Sequence, residues 1–300
     1  MKGYNGVLAA AGAYILWGIL PAYWKLLAQV PAYEILSHRM VWSLLLTLGL
    51  IILLGRSTTF RRAARERRNL LTFSTTALLL AVNWLLYIWA VNAGFIVEAS
   101  LGYFINPMIS VLFGTIFFRE RLRPLQWAAI AFAVLGVLYL TFYYGQFPWI
   151  ALVLAVTFAV YGLLHKKNSL APLDGLCLET AVFFVPCLFF LLGLEYFQGG
   201  SFGHIGLSGS FLLAGAGIIT TVPLLLFGYA AQKIPLSSLG LLQYLAPSIS
   251  LILGVAVYGE DFSRQRMVGF LFIWTGLALY VAENMLCRFR VQKSTLTGRH

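Results

Sequence analysis

Ser100–Gly114 reads SLGYFINPMISVLFG, and Ser238–Gly254 reads SLGLLQYLAPSISLILG. The two match with a two-residue slip, so that Pro107 and Gly114 recur as Pro247 and Gly254, each 140 residues on. The same offset carries Glu120 to Glu260 and Gly136 to Gly276. Weaker echoes extend the duplication: Tyr14, Trp17 and Gly18 align with Phe158, Tyr161 and Gly162, and WLLYIWAVN at 84 resembles PLLLFGYAAQ at 223. The chain is therefore read as two copies of one unit, 5–144 and 148–287, with a tail over 288–300.

Neither unit has the composition of a soluble domain. The chain is 60% hydrophobic and 10% charged, with a mean hydropathy of +0.85, against about 25% charged residues in ordinary globular domains. A spanning helix takes about 20 apolar residues, and ten such runs stand at 5–27, 34–54, 70–92, 96–118, 124–143, 148–165, 174–195, 209–231, 236–258 and 265–287. Pro31, Pro124, Pro148, Pro172 and Pro235 punctuate them at helix starts or reversals. The first run continues past Pro21 without a small-residue cleavage site, so it is read as a retained span. Each unit holds five runs. Because five is odd, the second unit enters the membrane from the opposite side. The expected fold is an all-α membrane protein of ten transmembrane helices in two inverted five-helix repeats.

Charge sets the orientation. With the N-terminus inside, the cytoplasmic segments collect Lys2, six arginines between Arg56 and Arg68, Arg119, Arg121, Arg123, Lys166, Lys167, Lys233 and the basic tail from Arg288 to Arg299. Only Lys25, Arg264, Arg266 and the intramembrane Arg39 fall elsewhere among the 21 basic residues. The positive-inside rule places both termini in the cytoplasm. The net charge of +11 is absorbed by these loops, which reads as lipid contact and topology rather than nucleic-acid binding. Cys177, Cys187 and Cys287 lack CxxC spacing, and no metal site or cofactor is expected. HExxH, GxSxG and Walker A patterns are missing and the four histidines are scattered, so enzyme chemistry finds no support.

Inverted repeats supply two similar halves that exchange inward-open and outward-open shapes around a central site. That points to a secondary carrier of small metabolites or amphipathic drugs, an exporter by expectation. A passive facilitator or channel is the alternative of the same topology, and a membrane-embedded enzyme or lipid-handling protein the alternative of another class. The stretches ILWGILPAYWKLL, VPAYEILSHRMVWSLL, NWLLYIWAVN, EASLGYFINP, TTVPLLLF and SSLGLLQYLAPS resemble the RarD-type proteins of the EamA branch of the drug/metabolite transporter superfamily. The resemblance covers nearly the whole chain. It implies ten helices in two inverted repeats, a central cavity, and movement of small metabolites or drugs across a bacterial inner membrane.

Candidate cavity residues are the polar and aromatic side chains deep in the runs. Asn83 and Tyr87 share a helical face extended by Trp84, and Tyr103 and Asn106 share another beside Pro107, which is expected to kink its helix. Gln243 and Tyr244 precede Pro247 in the second half, while Trp17 and Tyr161 are further aromatic candidates. For gating or ion coupling the candidates are Arg39, Glu98 and Glu179. Arg39 and Glu179 are repeat equivalents, each about five residues inside its run and near opposite membrane faces. Arg39 is expected to work with Glu98 at an outer gate, and Glu179, with Lys233 nearby, at an inner one. Protons are the candidate coupling ion, through Glu179 or Glu98. Reporter fusions test the orientation: green fluorescent protein on the C-terminus should fluoresce and alkaline phosphatase there should be inactive, and the reverse pattern contradicts cytoplasmic termini.

Overall fold

A bilayer core offers no hydrogen-bond partners, so a chain that crosses it must satisfy its backbone internally. The computed structural model describes residues 2–93, 95–144, 148–259 and 264–297. Among them the regular structure is helical: α1 (Lys2–Lys25), α2 (Ala32–Leu53), α3 (Ser57–Arg65), α4 (Arg67–Asn92), α5 (Ile96–Phe118), α6 (Pro124–Tyr144), α7 (Trp149–Lys167), α8 (Pro172–Gln198), α9 (Gly206–Lys233), α10 (Leu236–Leu242), α11 (Leu245–Ala256) and α12 (Arg264–Thr297). Eight segments are long and apolar enough to cross a membrane, with α10 and α11 counted as one; Gly102–Phe118 of α5 and Met267–Glu283 of α12 are shorter apolar stretches among the described residues. The chain is a multi-pass membrane protein. Prolines set the starts as expected: Pro31, Pro148 and Pro235 stand at N-caps, and Pro124 and Pro172 at first helical positions.

Three local expectations are corrected. The run 236–258 is not one helix but is interrupted between α10 and α11 at Gln243 and Tyr244, whereas α5 continues through Pro107. Seven residues separate Ser100 from Pro107 and nine separate Ser238 from Pro247, so the two-residue slip in the repeat falls at this break. There the chain closes with short-range bonds, Gln243 N–H to the Gly240 carbonyl at 3.0 Å and Ala246 N–H to the Gln243 carbonyl at 3.1 Å. The Arg-rich stretch after α2 is not a plain loop. Nine of its residues form α3, with Phe60 packed against the cluster of Leu44, Ile51 and Cys177 while Arg61 and Arg62 stay in the open, as an interfacial amphipathic helix does. Finally, α2 and α8 begin two residues earlier than their apolar runs. Arg39 and Glu179 are each seven residues inside, about 10 Å at 1.5 Å per residue.

The helices pair across the two sequence halves. α1 packs on α9 and α11, α2 on α8 and α9, α4 on α7 and α8, α5 on α7 and α10, and α6 on α12. Small residues let these axes approach where no hydrophobic force drives helix association within lipid. At the crossing of α6 and α12 the repeat glycines Gly136 and Gly276 face the partner's backbone: a Cβ on Gly276 would stand 2.6 Å from the Ala129 carbonyl oxygen, and one on Gly136 2.9 Å from that of Gly269. Backbone cannot yield as a side chain can. Gly276→Ala should lower stability by about 1–3 kcal/mol in thermal unfolding of the detergent-solubilised protein. Gly49→Ala, where a Cβ meets nothing within 4 Å, should leave it within about 0.5 kcal/mol.

Candidate functional site

The site is built around Arg39. Its Nε–H donates to Thr220 Oγ1 at 2.9 Å, and the Thr220 hydroxyl is itself spent on the Ala216 carbonyl at 2.8 Å, which fixes the guanidinium against α9. The Trp84 ring lies 4.3 Å from its central carbon and the Trp24 ring 5.0 Å. Each such contact is worth about 0.5–2 kcal/mol. Tyr103 stands within electrostatic reach of the charge, and its ring meets Tyr87 edge to face at 5.7 Å. Side chains from α1, α2, α4, α5 and α9 thus surround one guanidinium. Yet Arg39 is only partly buried and Tyr103 is 45% exposed. Both side chains thus border open space beside the guanidinium, the Arg39 chamber.

Of the expected cavity residues, Trp84, Tyr87 and Tyr103 meet at this chamber. Asn83 is close by but committed to structure: its amide donates to the Leu154 carbonyl at 2.8 Å and to Thr157 Oγ1 at 2.9 Å, tying α4 to α7. Asn106, Gln243 and Tyr244 are buried elsewhere. Tyr244 donates to the Phe104 carbonyl at 3.0 Å, and the Asn106 amide oxygen accepts from Ser110 at 3.3 Å. Trp17 and Tyr161 belong to a packed aromatic cluster with Tyr14, Phe158 and Phe227, in which Tyr14 and Tyr161 are fully buried. The Glu98 side chain lies outside the described residues. Trp24 was missed because it sits one residue from the end of its helix, where tryptophans ordinarily mark the membrane interface.

Glu179, the repeat equivalent of Arg39, is held differently. Its Oε1 is 2.8 Å from His165 Nε2 and its Oε2 accepts from the Tyr161 hydroxyl at 3.3 Å. All three side chains are buried. Lys233, the expected partner, instead has its Nζ 5.7 Å from the Tyr229 ring. His165 passed unnoticed among scattered histidines, although it is four residues from Tyr161 and shares its face. Beside Glu179 an apolar cleft of about 270 Å³ opens between α2, α4 and α8, walled by Leu36, Met40, Trp84 and Phe183. Trp84 is common to the cleft and the Arg39 chamber. Among the described residues no three His, Cys, Asp or Glu side chains are grouped to hold a metal ion.

Carboxylates clamp the helix ends around both sites. Glu34, in the first turn of α2, accepts from the Ser201 N–H at 2.6 Å and the Ser201 hydroxyl at 2.8 Å, in the connection between α8 and α9. Its repeat equivalent Asp174 accepts from Arg56 at 2.6 Å, in the connection after α2. That bond and the carboxylate's charge raise the Arg56 pKa. Glu120 is turned toward α10 by a left-handed Arg119 (φ 53°) and a Glu120 N–H bond to the Gly114 carbonyl at 3.2 Å, a Schellman-type end. There it accepts from the N–H groups of Leu236 and Ser237 at 2.7 and 2.9 Å and from the Ser237 hydroxyl at 2.7 Å, with Lys166 Nζ at 3.7 Å. Gly114 makes the room: a Cβ there would stand 2.5 Å from Glu120 Oε2.

A bundle of apolar helices around a charged, aromatic-walled chamber defines a polytopic membrane protein of the transporter class. The EamA-like transporter family model matches the chain twice, over residues 4–142 and 148–282. Protein RarD of Streptomyces exfoliatus is 44% identical over 93% of this chain and 90% of its own, and Protein RarD of Escherichia coli K12 is 40% identical over 96% and 98%. The uncharacterized transporter YojE of Bacillus subtilis is 41% identical over 92% and 93%. A solved crystal structure superposes with a TM-score of 0.69 at 20% identity, covering 91% of this chain and 96% of the other, which is a likeness of fold. The chain belongs to the EamA-like transporter family and, within it, is a RarD-type protein. For the clamp on α10, Glu120→Ala should cost about 1–3 kcal/mol through unpaired backbone donors, read as a lower thermal midpoint in detergent, with Glu120→Asp intermediate.

Proposed function

We propose that the protein is a secondary carrier that exports small metabolites or amphipathic drugs across a bacterial inner membrane, by alternating access between two inverted five-helix halves. In this reading residues 5–144 and 148–287 are the halves, ten spans cross the bilayer, and both termini are cytoplasmic. The observation that carries it is the unequal state of equivalent positions: Arg39 is partly exposed with one side-chain acceptor, while Glu179, 140 residues on, is buried on His165 and Tyr161 at the edge of the apolar cleft. Helix pairing supports it. Exchanging the halves turns the packing of α1 on α9 into that of α7 on α4, and α2 on α9 into α8 on α4, while α2·α8 and α6·α12 map onto themselves. α4 nevertheless packs less extensively on α7 and α8 than α9 does on α1 and α2, as two halves caught at different stages would.

Arg39 is assigned to the outer gate, with Glu98 as its proposed partner there, and Glu179 with His165 to the inner gate and to proton coupling. In reconstituted vesicles, saturable counterflow of a labelled solute is expected, and uptake that rises linearly without counterflow would instead make the protein a passive facilitator. Arg39→Lys and Glu179→Gln, at normal abundance, should each slow transport about tenfold or more, equivalent to about 1.4 kcal/mol in the barrier. Wild-type rates in both would remove the gate assignment.

A further inference from the structure

We infer that Arg39 anchors the carboxylate of a small organic anion with a planar apolar body, carried in the chamber it borders; the inference rests on the carrier reading. A guanidinium presents five N–H donors in a planar fork. Nε spends one on Thr220. Among the described residues no acceptor engages the two terminal nitrogens and no carboxylate pairs with the charge. Among the described acids of α2 and α8, Glu34 is committed to Ser201, Asp174 to Arg56, Glu195 to Gly200 and Glu179 to His165 and Tyr161; in this proposal the carried carboxylate takes the place of the gate partner Glu98 on the fork. A charge withdrawn from water is ordinarily paired, and the complement of an open guanidinium fork is a bidentate oxyanion.

The walls define the rest of the ligand. Trp84 and Trp24 lie against the guanidinium at 4.3 and 5.0 Å, and Tyr103 projects into the open volume beside Tyr87. Flat aromatic walls beside a charged fork take a planar apolar group next to a carboxylate. A neutral or cationic amphipath would use the walls and leave the fork unanswered. A lipid phosphate has the same oxyanion chemistry, but Trp24, Trp84 and Thr220 enclose the guanidinium on the α1, α4 and α9 sides, which favours a free solute that enters the chamber.

The test is a binding series on the purified protein in detergent, followed by thermal midpoint and tryptophan fluorescence. Benzoate should bind saturably and raise the midpoint, while benzyl alcohol, benzylammonium and acetate should each bind about tenfold more weakly or worse. Arg39→Gln should lose benzoate by a similar factor, and Thr220→Val, which keeps the charge but frees Nε, should weaken it about threefold. The second variant keeps the test decisive if the first does not fold. Equal binding of benzyl alcohol, unchanged benzoate affinity in the folded variants, or displacement of benzoate by an equal concentration of short-chain phosphatidylglycerol would each overturn the inference. Counterflow separates it from the carrier reading. Benzoate binding without counterflow of any solute sinks the carrier and keeps the site, whereas counterflow of neutral or cationic solutes without benzoate binding sinks the site and keeps the carrier.

Discussion

A charge about 10 Å inside a spanning helix is costly unless a partner or an aqueous opening answers it. Arg39 on α2 and Glu179 on α8 stand at that depth, 140 residues apart and of opposite sign. Much of the architecture is arranged around how each is answered. Glu179 is paired with His165 and bonded by Tyr161, whose ring packs on Phe158 and Phe227. Arg39 receives one hydroxyl and two indole faces, with open volume beyond. Among the described residues Glu179 has two side-chain partners and Arg39 one acceptor.

The clamps obey the same reciprocity. Glu34 at the start of α2 holds the connection after α8, and Asp174 at the start of α8 holds the connection after α2. Each half therefore ties down a loop of the other. Both carboxylates are fully or almost fully buried, where a lost partner leaves an uncompensated charge and costs several kcal/mol. These bonds brace the rigid pair α2·α8. Outside this pair, α4 and α9 differ in how extensively they pack on the opposite half.

Much of the fold was legible in the sequence, because lipid imposes one rule on long apolar runs: they become helices. The repeat residues were equally informative, since Gly114, Gly136 and Gly276 stand at close approaches that leave no room for a Cβ, and Glu120 binds the start of α10. What could not be read was which side chain meets which across the bundle. Arg39 reaches Thr220 over 181 residues and Glu120 reaches Ser237 over 117, and no periodicity encodes such distances. His165 looked isolated because its partner is on the next helix. Asn83 has the spacing of a cavity residue, yet its amide is consumed by α7. The break at Gln243 was present in the text as a two-residue slip, but a slip does not say that the helix stops.

If the two halves exchange states, equivalent points on opposite faces must move oppositely. Gln29 and Ala93 flank the ends of α1 and α4, and their repeat equivalents Ser169 and Lys233 flank the ends of α7 and α9; all four are exposed. Spin labels on Gln29 and Ala93 in one sample, and on Ser169 and Lys233 in another, give distance distributions by pulsed electron resonance in lipid nanodiscs. The account predicts two populations in each, with conditions that lengthen the first distance shortening the second. A single fixed distance in both pairs, or changes of the same sign, would contradict it.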